Sequence, residues 1–340
     1  MPRILVGFIV SMLFMPGVQA GEGVAPVTGR PVHTYSIVAR DPHSGQLGVA
    51  VQSHWFSVGS LVPWARAGVG AIATQSFIEV RYGESGLDLM ASGLSATRTL
   101  DALLAADANP GVRQVAMIDA SGEVAVHTGE NCIEYAGHLT GDDFSVQSNL
   151  MISPGVQQAM ADAFQQATGT LAERMLAALE AAQAVGGDLR GKQSAAILVV
   201  DGTAGSRPRD GRLIDLHVED SPQPLVELRR LLRLHTAYAH MNQGDHALES
   251  GDVDAALHEY GQAEGLQPDN LEMKFWHAVS LVNAGRVDAA MPVFAGIFRD
   301  DARWRTLVQR LVQAGLLDAD AAVLARINTA GVKQEGRIND

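Results

Sequence analysis

The side chains that could do chemistry sit in a few short blocks between apolar runs. The first is His33-Thr34-Tyr35-Ser36, continuing through Ile37-Val38-Ala39-Arg40 to Asp41-Pro42. Others are Trp64-Ala65-Arg66, Ala73-Thr74-Gln75, His127-Thr128-Gly129, Gln147-Ser148-Asn149, and the long run Gly186-Gly187-Asp188-Leu189-Arg190-Gly191-Lys192-Gln193-Ser194-Ala195. Hydroxyls and uncharged amides dominate these blocks. A hydroxyl can attack a carbonyl, and an amide N–H can hold the oxyanion that forms. Asp188 and Arg190 follow two glycines and read as a turn held by an ion pair, and Asp41 reads as the cap of its own turn. Other site types are missing from the sequence. There is no G-x-S-x-G elbow and no Gly-rich loop ending in Gly-Lys-Ser/Thr. The histidines are scattered: no H-E-x-x-H occurs, and His235 and His240 are spaced to lie on different helix faces. No metal and no cofactor is expected.

These blocks need a scaffold, and the apolar periodicity supplies one. Tyr35–Ala39 and Leu47–Gln52 are strand-like and joined by a Pro/Gly turn. Val69–Thr74 is a third strand, Arg113–Asp119 and Glu123–Thr128 form a second hairpin, and Phe144–Ile152 is extended. Ser194–Val200 and Leu213–Val218 make a third hairpin around a polar loop. Helical spacing marks Gly83–Leu104, and two helices over Pro154–Ala184 broken at Thr168-Gly169. Hairpins alternating with helices in this order predict an α+β domain of two packed sheets with helices outside.

With Tyr82-Gly83 added, the blocks resemble the domain-of-unknown-function 1028 family over about residues 34 to 235, in the family's order. That family looks like the N-terminal-nucleophile (Ntn) hydrolases. The resemblance implies a four-layer αββα sandwich and a nucleophile that is the first residue of the mature chain. Thr34 fits that place, with Ser36 as a weaker alternative. The α-amine of such a residue titrates near about 7.7–8.0, so it can serve as the base for its own hydroxyl. A cut between His33 and Thr34 would be needed to free it. On this reading Arg66 is the cation that lowers the amine's pKa, and Asn149 is the first oxyanion donor. Gln75, Gln193 and Ser194 line the substrate site. One departure stands out: the family usually has Gln-Gly-Asn where this chain has Gln147-Ser148-Asn149.

The first twenty residues carry Arg3, an apolar run and Val18-Gln19-Ala20, the pattern of a secretory signal peptide cut after Ala20. Residues 21–33 are Gly/Pro-rich and read as a leader or propeptide. From Pro222 the chain is helical, and Gly251-Asp252, Ala255, Ala256 and Tyr260 recur 34 positions on as Gly285-Arg286, Ala289, Ala290 and Phe294. That period is the tetratricopeptide signature. The expected plan is therefore a domain over 34–235, a helical repeat over 236–325 and a flexible tail over 326–340. The net charge of -13 disfavours a nucleic-acid partner, and one cysteine, Cys132, rules out an internal disulfide. No membrane span is expected once the signal is gone. The chain thus reads as a secreted or periplasmic amide hydrolase for a small peptide or N-acyl compound. The rival reading is a non-catalytic envelope scaffold whose repeat binds a protein partner. Fold alone does not choose between them.

Overall fold

The computed structural model describes residues 31, 32, 34–205 and 211–332. The expected signal peptide and nearly all of the leader lie outside the described residues. Ten strands form two antiparallel sheets within them. The larger sheet contains β1 (Thr34–Arg40), β2 (Leu47–Ser53), β7 (Gly137–Gly141), β8 (Phe144–Ser148), β9 (Ser194–Val200) and β10 (Arg212–Val218), in the order β10-β9-β2-β1-β8-β7. The smaller contains β3 (Pro63–Arg66), β4 (Gly70–Ser76), β5 (Arg113–Asp119) and β6 (Val124–Thr128), in the order β3-β4-β5-β6. The first hairpin closes as expected: the Asp41 carboxylate accepts the backbone N–H groups of His43 (2.9 Å) and Ser44 (2.8 Å).

Side-chain alternation along the strands sorts residues into layers. Val38, Val49, Val51, Ala71, Ala73, Ala116, Ile118, Ala196 and Leu198 share one buried cluster between the sheets. The neighbouring residues Tyr35, Ile37 and Ala39 face the other way. They pack with Met160 and Phe164 of α3 (Val156–Gln166) and with Met175, Leu176 and Leu179 of α4 (Leu171–Ala184). On the far side of the small sheet, Ile72, Val115 and Met117 meet Leu87 and Met90 of α1 (Arg81–Ala91) and Leu100 of α2 (Ala96–Ala106). The result is the four-layer αββα sandwich.

The elements depart from the sequence reading in instructive places. The helix expected over Gly83–Leu104 is two helices, because Gly93 takes a left-handed φ of 100° and Ser95 restarts the chain in an extended conformation. The extended run expected to reach Ile152 ends at Ser148, and Leu150 turns through a positive φ of 54°. The strands β3 and β7 were not read from the sequence. Both are short edge strands, and β7 buries none of its residues fully, so neither shows a clean apolar alternation.

The helical region begins with a single long helix, α5 (Pro224–Glu249). Its first turns bury Leu225, Leu228 and Leu232 in the sandwich's helix-side cluster, and its later turns bury Ala237 and Met241 against Tyr260. The boundary expected at 235 therefore falls inside one continuous helix that belongs to both modules. Then follow α6 (Val253–Leu266), α7 (Leu271–Asn283), α8 (Val287–Asp300), α9 (Trp304–Gln313) and α10 (Ala321–Thr329). Gly251 and Gly285, with φ of 81° and 73°, end α5 and α7 at equivalent places. The repeated aromatics Tyr260 and Phe294 are both buried. Ile327 of α10 is fully buried as well, so helical structure passes the expected start of the tail at 326. Among the described residues no helix is long and apolar enough to cross a membrane.

Candidate functional site at the head of the first strand

The inter-sheet layer is apolar in its middle and changes character at one end. There, strand after strand turns a hydroxyl or an amide inward. These are Thr34 and Ser36 from β1, Ser53 from β2, Gln75 from β4, Gln114 from β5, Thr128 from β6, Ser145 and Gln147 from β8, Asn149 just beyond it, and Ser194 from β9. Of these, all but Thr128 are fully buried. Buried amides must find partners, because an unpaired one costs about 1–3 kcal/mol. They find one another.

Gln114 is the hub. Its Oε1 accepts from Gln75 Nε2 and from Asn149 Nδ2, each at 2.7 Å. Its Nε2 reaches Thr128 Oγ1 (3.0 Å), the Ser148 carbonyl (3.0 Å) and the Gly137 carbonyl (3.2 Å). Ser36 Oγ donates to Gln75 Oε1 (2.7 Å) and accepts from Gln147 Nε2 (2.6 Å). Ser36, the alternative nucleophile, is thus clamped between two amides. Thr34 stands at the end of this network, fully buried. Its Oγ1 lies 3.0 Å from the Val32 carbonyl oxygen and 3.2 Å from Ser53 Oγ. The Thr34 carbonyl accepts the backbone N–H of Asn149 (3.1 Å) and Gln75 Nε2 (3.4 Å).

The expected site residues divide on this geometry. Thr34, Gln75 and Asn149 come together, but the donors of Gln75 and Asn149 are spent on Gln114 and on the Thr34 carbonyl. They hold the threonine in place. Ser194 is in the same layer, where its hydroxyl accepts the Val58 N–H (3.1 Å) and bonds the Trp55 carbonyl. Gln193 turns outward to Asp220 (3.0 Å). Arg66 is not at this site. It pairs with Gly70 at the far end of β4 from Gln75, and at ~3.3 Å per residue that places it roughly 17 Å along the strand. Its guanidinium instead meets Asp88 of α1 at 2.9 Å. The arginine at the Thr34 end is Arg113, in register with Ser76. It is held by Asp107 (2.7 Å) and the Phe77 carbonyl (2.6 Å). Burial alone would raise the Asp107 carboxyl, but bonds from Arg113 and the Asn109 N–H outweigh it and hold the group below the usual carboxylate range.

Titratable groups stand around the network rather than in it. His138 Nδ1 is 2.9 Å from Thr128 Oγ1 at the rim, and burial, then His127, lowers its pKa so that the neutral ring is favoured. Cys132 is half-buried beside Ser76 Oγ (3.7 Å), and burial pushes its thiol up. Asp188 and Arg190 do form the expected ion pair, at 2.7 Å. The Asp188 carboxylate also accepts the His54 N–H at 3.2 Å, which ties the glycine-rich turn to the end of β2. The Ser148 hydroxyl accepts from Gln157 Nε2 of α3 (2.7 Å), away from the inter-sheet layer, so the departure from Gln-Gly-Asn leaves the inward network intact. Gln114 and Ser53 were not singled out from the sequence, and Gln147 was named only as part of its block. The available signal was that three apolar strands end in Gln-Ser at the same end: Gln52-Ser53, Gln75-Ser76 and Gln147-Ser148.

The sequence model of the family of unknown function DUF1028 matches residues 34–228, more than half of the chain. The chain belongs to this family. The match of the DUF1028 region begins at Thr34 itself. A tetratricopeptide repeat model matches residues 247–314. Among solved structures, protein SPO2555 from Silicibacter pomeroyi, a DUF1028 protein, is similar to this chain at 28% identity and a TM-score of 0.55. The likeness covers 60% of this chain and 89% of that one. Among curated proteins there is no match.

Proposed function

We propose that the DUF1028 domain is an Ntn-type amide hydrolase, working outside the cytoplasm, whose nucleophile is Thr34 after residues 1–33 are removed. The observation that carries this reading is the chemistry of the inward network. Its members are hydroxyls and amides, none of which titrates near neutral pH. The imidazole of His138 reaches Thr128 at the rim, whereas the Thr34 and Ser36 hydroxyls bond a carbonyl, a hydroxyl and amides, none of which can take a proton. The α-amine of a freed Thr34 would be tethered to the hydroxyl and would supply the base.

The Thr34 Oγ1 then attacks the substrate carbonyl carbon, and the hydroxyl proton passes through the amine to the leaving nitrogen. An ester to Thr34 forms as the C–N bond breaks, and water hydrolyses that ester. Ser53 Oγ, which accepts from Thr34 Oγ1 at 3.2 Å, stands beside the reacting oxygen. The substrate is a small peptide or N-acyl compound. The helical repeat supports a separate role in binding a protein partner.

A second reading has its own support. Thr34 is fully buried with Val32 still bonded beside it, as suits a scaffold that never frees its threonine. Intact mass of exported protein separates the two. Loss of residues 1–33 in the wild type, retention of 21–33 in Thr34→Ala, and covalent labelling at Thr34 by a small β-lactone are expected. Wild type and Thr34→Ala both starting at Gly21, with the fold intact, would establish the scaffold.

A further inference from the structure

We propose that Val32, two residues ahead of Thr34, occupies the subsite for the acyl side of the substrate. The mature site would then select extended peptides with a branched aliphatic side chain in the place of Val32, two residues before the bond that is cut. This rests on Thr34 being the nucleophile. It goes further by narrowing the substrate from N-acyl compounds in general to peptides with a backbone amide and an aliphatic residue at one position.

Val32 is held as a substrate strand would be held. Its N–H donates to the Ser76 carbonyl at 2.7 Å, and its carbonyl accepts the Ser76 N–H at 3.0 Å. The two residues form an antiparallel bridge outside the named strands. The same Val32 carbonyl is 3.0 Å from Thr34 Oγ1, so the bridge sits against the reacting hydroxyl. The Val32 side chain is 3% exposed and belongs to the inter-sheet apolar cluster that includes Val58 and Val62, with Ile78 packed against that cluster.

Ser76 is the fixed half of this clamp. It is a non-glycine residue at φ 68°, a conformation that persists where surroundings enforce it and that gathers at ligand clamps. It is also 1% exposed. Removal of the leader would therefore leave a buried N–H, a buried carbonyl and an apolar slot, all without occupants. Buried backbone groups require partners. An extended peptide adds both hydrogen bonds and the side chain at once, in the manner of strand addition to a sheet edge. A simple N-acyl compound without an amide at that distance fills only the slot.

The test uses protein shown by mass to begin at Thr34, with a β-lactone as the label for its hydroxyl. The peptide acetyl-Arg-Pro-Val-His-amide should protect Thr34 from labelling. Replacing its valine by glycine should raise the half-protecting concentration about tenfold or more, by loss of the apolar contact. Replacing it by N-methylvaline, which cannot donate to the Ser76 carbonyl, should raise it to a similar degree. Equal protection by all three peptides, or by none, overturns the subsite while labelled Thr34 still stands as nucleophile. A mature chain that retains residues 31 and 32 overturns both.

Discussion

The sealed end of the inter-sheet layer and the open edge of the sandwich solve opposite problems. At the Thr34 end, Gln75, Gln114, Gln147 and Asn149 are fully buried and satisfied by one another. Along the side of the sandwich, between the edge strands β3 and β10, a cleft of about 430 Å³ opens, lined by Trp64, Arg66, Glu84, Arg212, Asp215 and His217 among others. Its charges are solvated and locally paired, as in Arg66 with Asp88 (2.9 Å) and His217 with Asp215 (2.9 Å). The cleft has the size and charge commonly read as an active site, yet it lies away from the threonine that heads the family match. The sealed end shows why. Charges taken from water cost far more than neutral groups that can be paired, so a buried site is built from amides and hydroxyls. An α-amine created there by cleavage would be pushed toward its neutral, basic form by desolvation alone. On the proposed reading, burial at this end would do the work first assigned to Arg66.

The largest effect is expected at Gln114. Gln114→Leu keeps a similar volume but removes the acceptor shared by Gln75 and Asn149 and the donor to three oxygens. Two buried amide donors lose their partner, at about 1–3 kcal/mol each. The expected destabilisation is about 4 kcal/mol, read from the urea midpoint at constant m-value. A loss below about 1 kcal/mol would show the sealed end to be wet and loosely paired, and the contrast with the open cleft would fail.

A smaller effect is expected where charge does approach the sealed end. The Asp107 carboxyl is held low in the folded protein chiefly by Arg113, against the opposing pull of burial. A group depressed in the folded state adds stability above its unfolded pKa of about 3.9, and that stability is lost as pH falls through the folded value. The wild type should therefore lose stability below about pH 4 more steeply than Asp107→Asn, measured by urea unfolding across that range. Parallel acid limbs in the two proteins would mean that the pair is screened as though it were on the surface.

Most of the sandwich was legible in the sequence because its central strands are long, apolar and β-branched. The first hairpin, the β5–β6 hairpin and the break between α3 and α4 all follow local chemistry. The edges β3 and β7 were not legible, since an edge strand is fixed by its neighbour more than by its own residues. The split between α1 and α2 was hidden because Leu87, Met90, Leu94, Leu100 and Leu103 keep an apolar rhythm across Gly93. The site was legible in part for the same kind of reason. Thr34, Gln75 and Asn149 sit in strand-end blocks that can be seen one at a time. Gln114 stands near the start of β5 among apolar residues, and only the register with β4 and β6 shows what it joins. Arg66 was misplaced because β3 runs antiparallel to β4, which sends it to the far end. No spacing in sequence encodes that direction.

The smallest expected effect is at Arg66, and it is the sharpest test of the contrast. Its ion pair with Asp88 is solvent-exposed, with side chains 37% and 65% accessible. Exposed pairs of this kind contribute about 0–1 kcal/mol, so Arg66→Ala should lower stability by no more than about 0.5 kcal/mol. The same variant also reports on the chemistry. Roughly 17 Å of strand separates Arg66 from the Thr34 end, about twice the Debye length at physiological salt. The pH midpoint for β-lactone labelling of Thr34 should therefore stay where it is in the wild type. If burial rather than a cation sets the amine, that midpoint should also be insensitive to salt between 50 and 500 mM, on the order of the range over which surface charges are screened. A rise of about half a pH unit or more in Arg66→Ala, abolished by salt, would mean that the open cleft's charge reaches the threonine. The sealed end and the open edge would then be one electrostatic site.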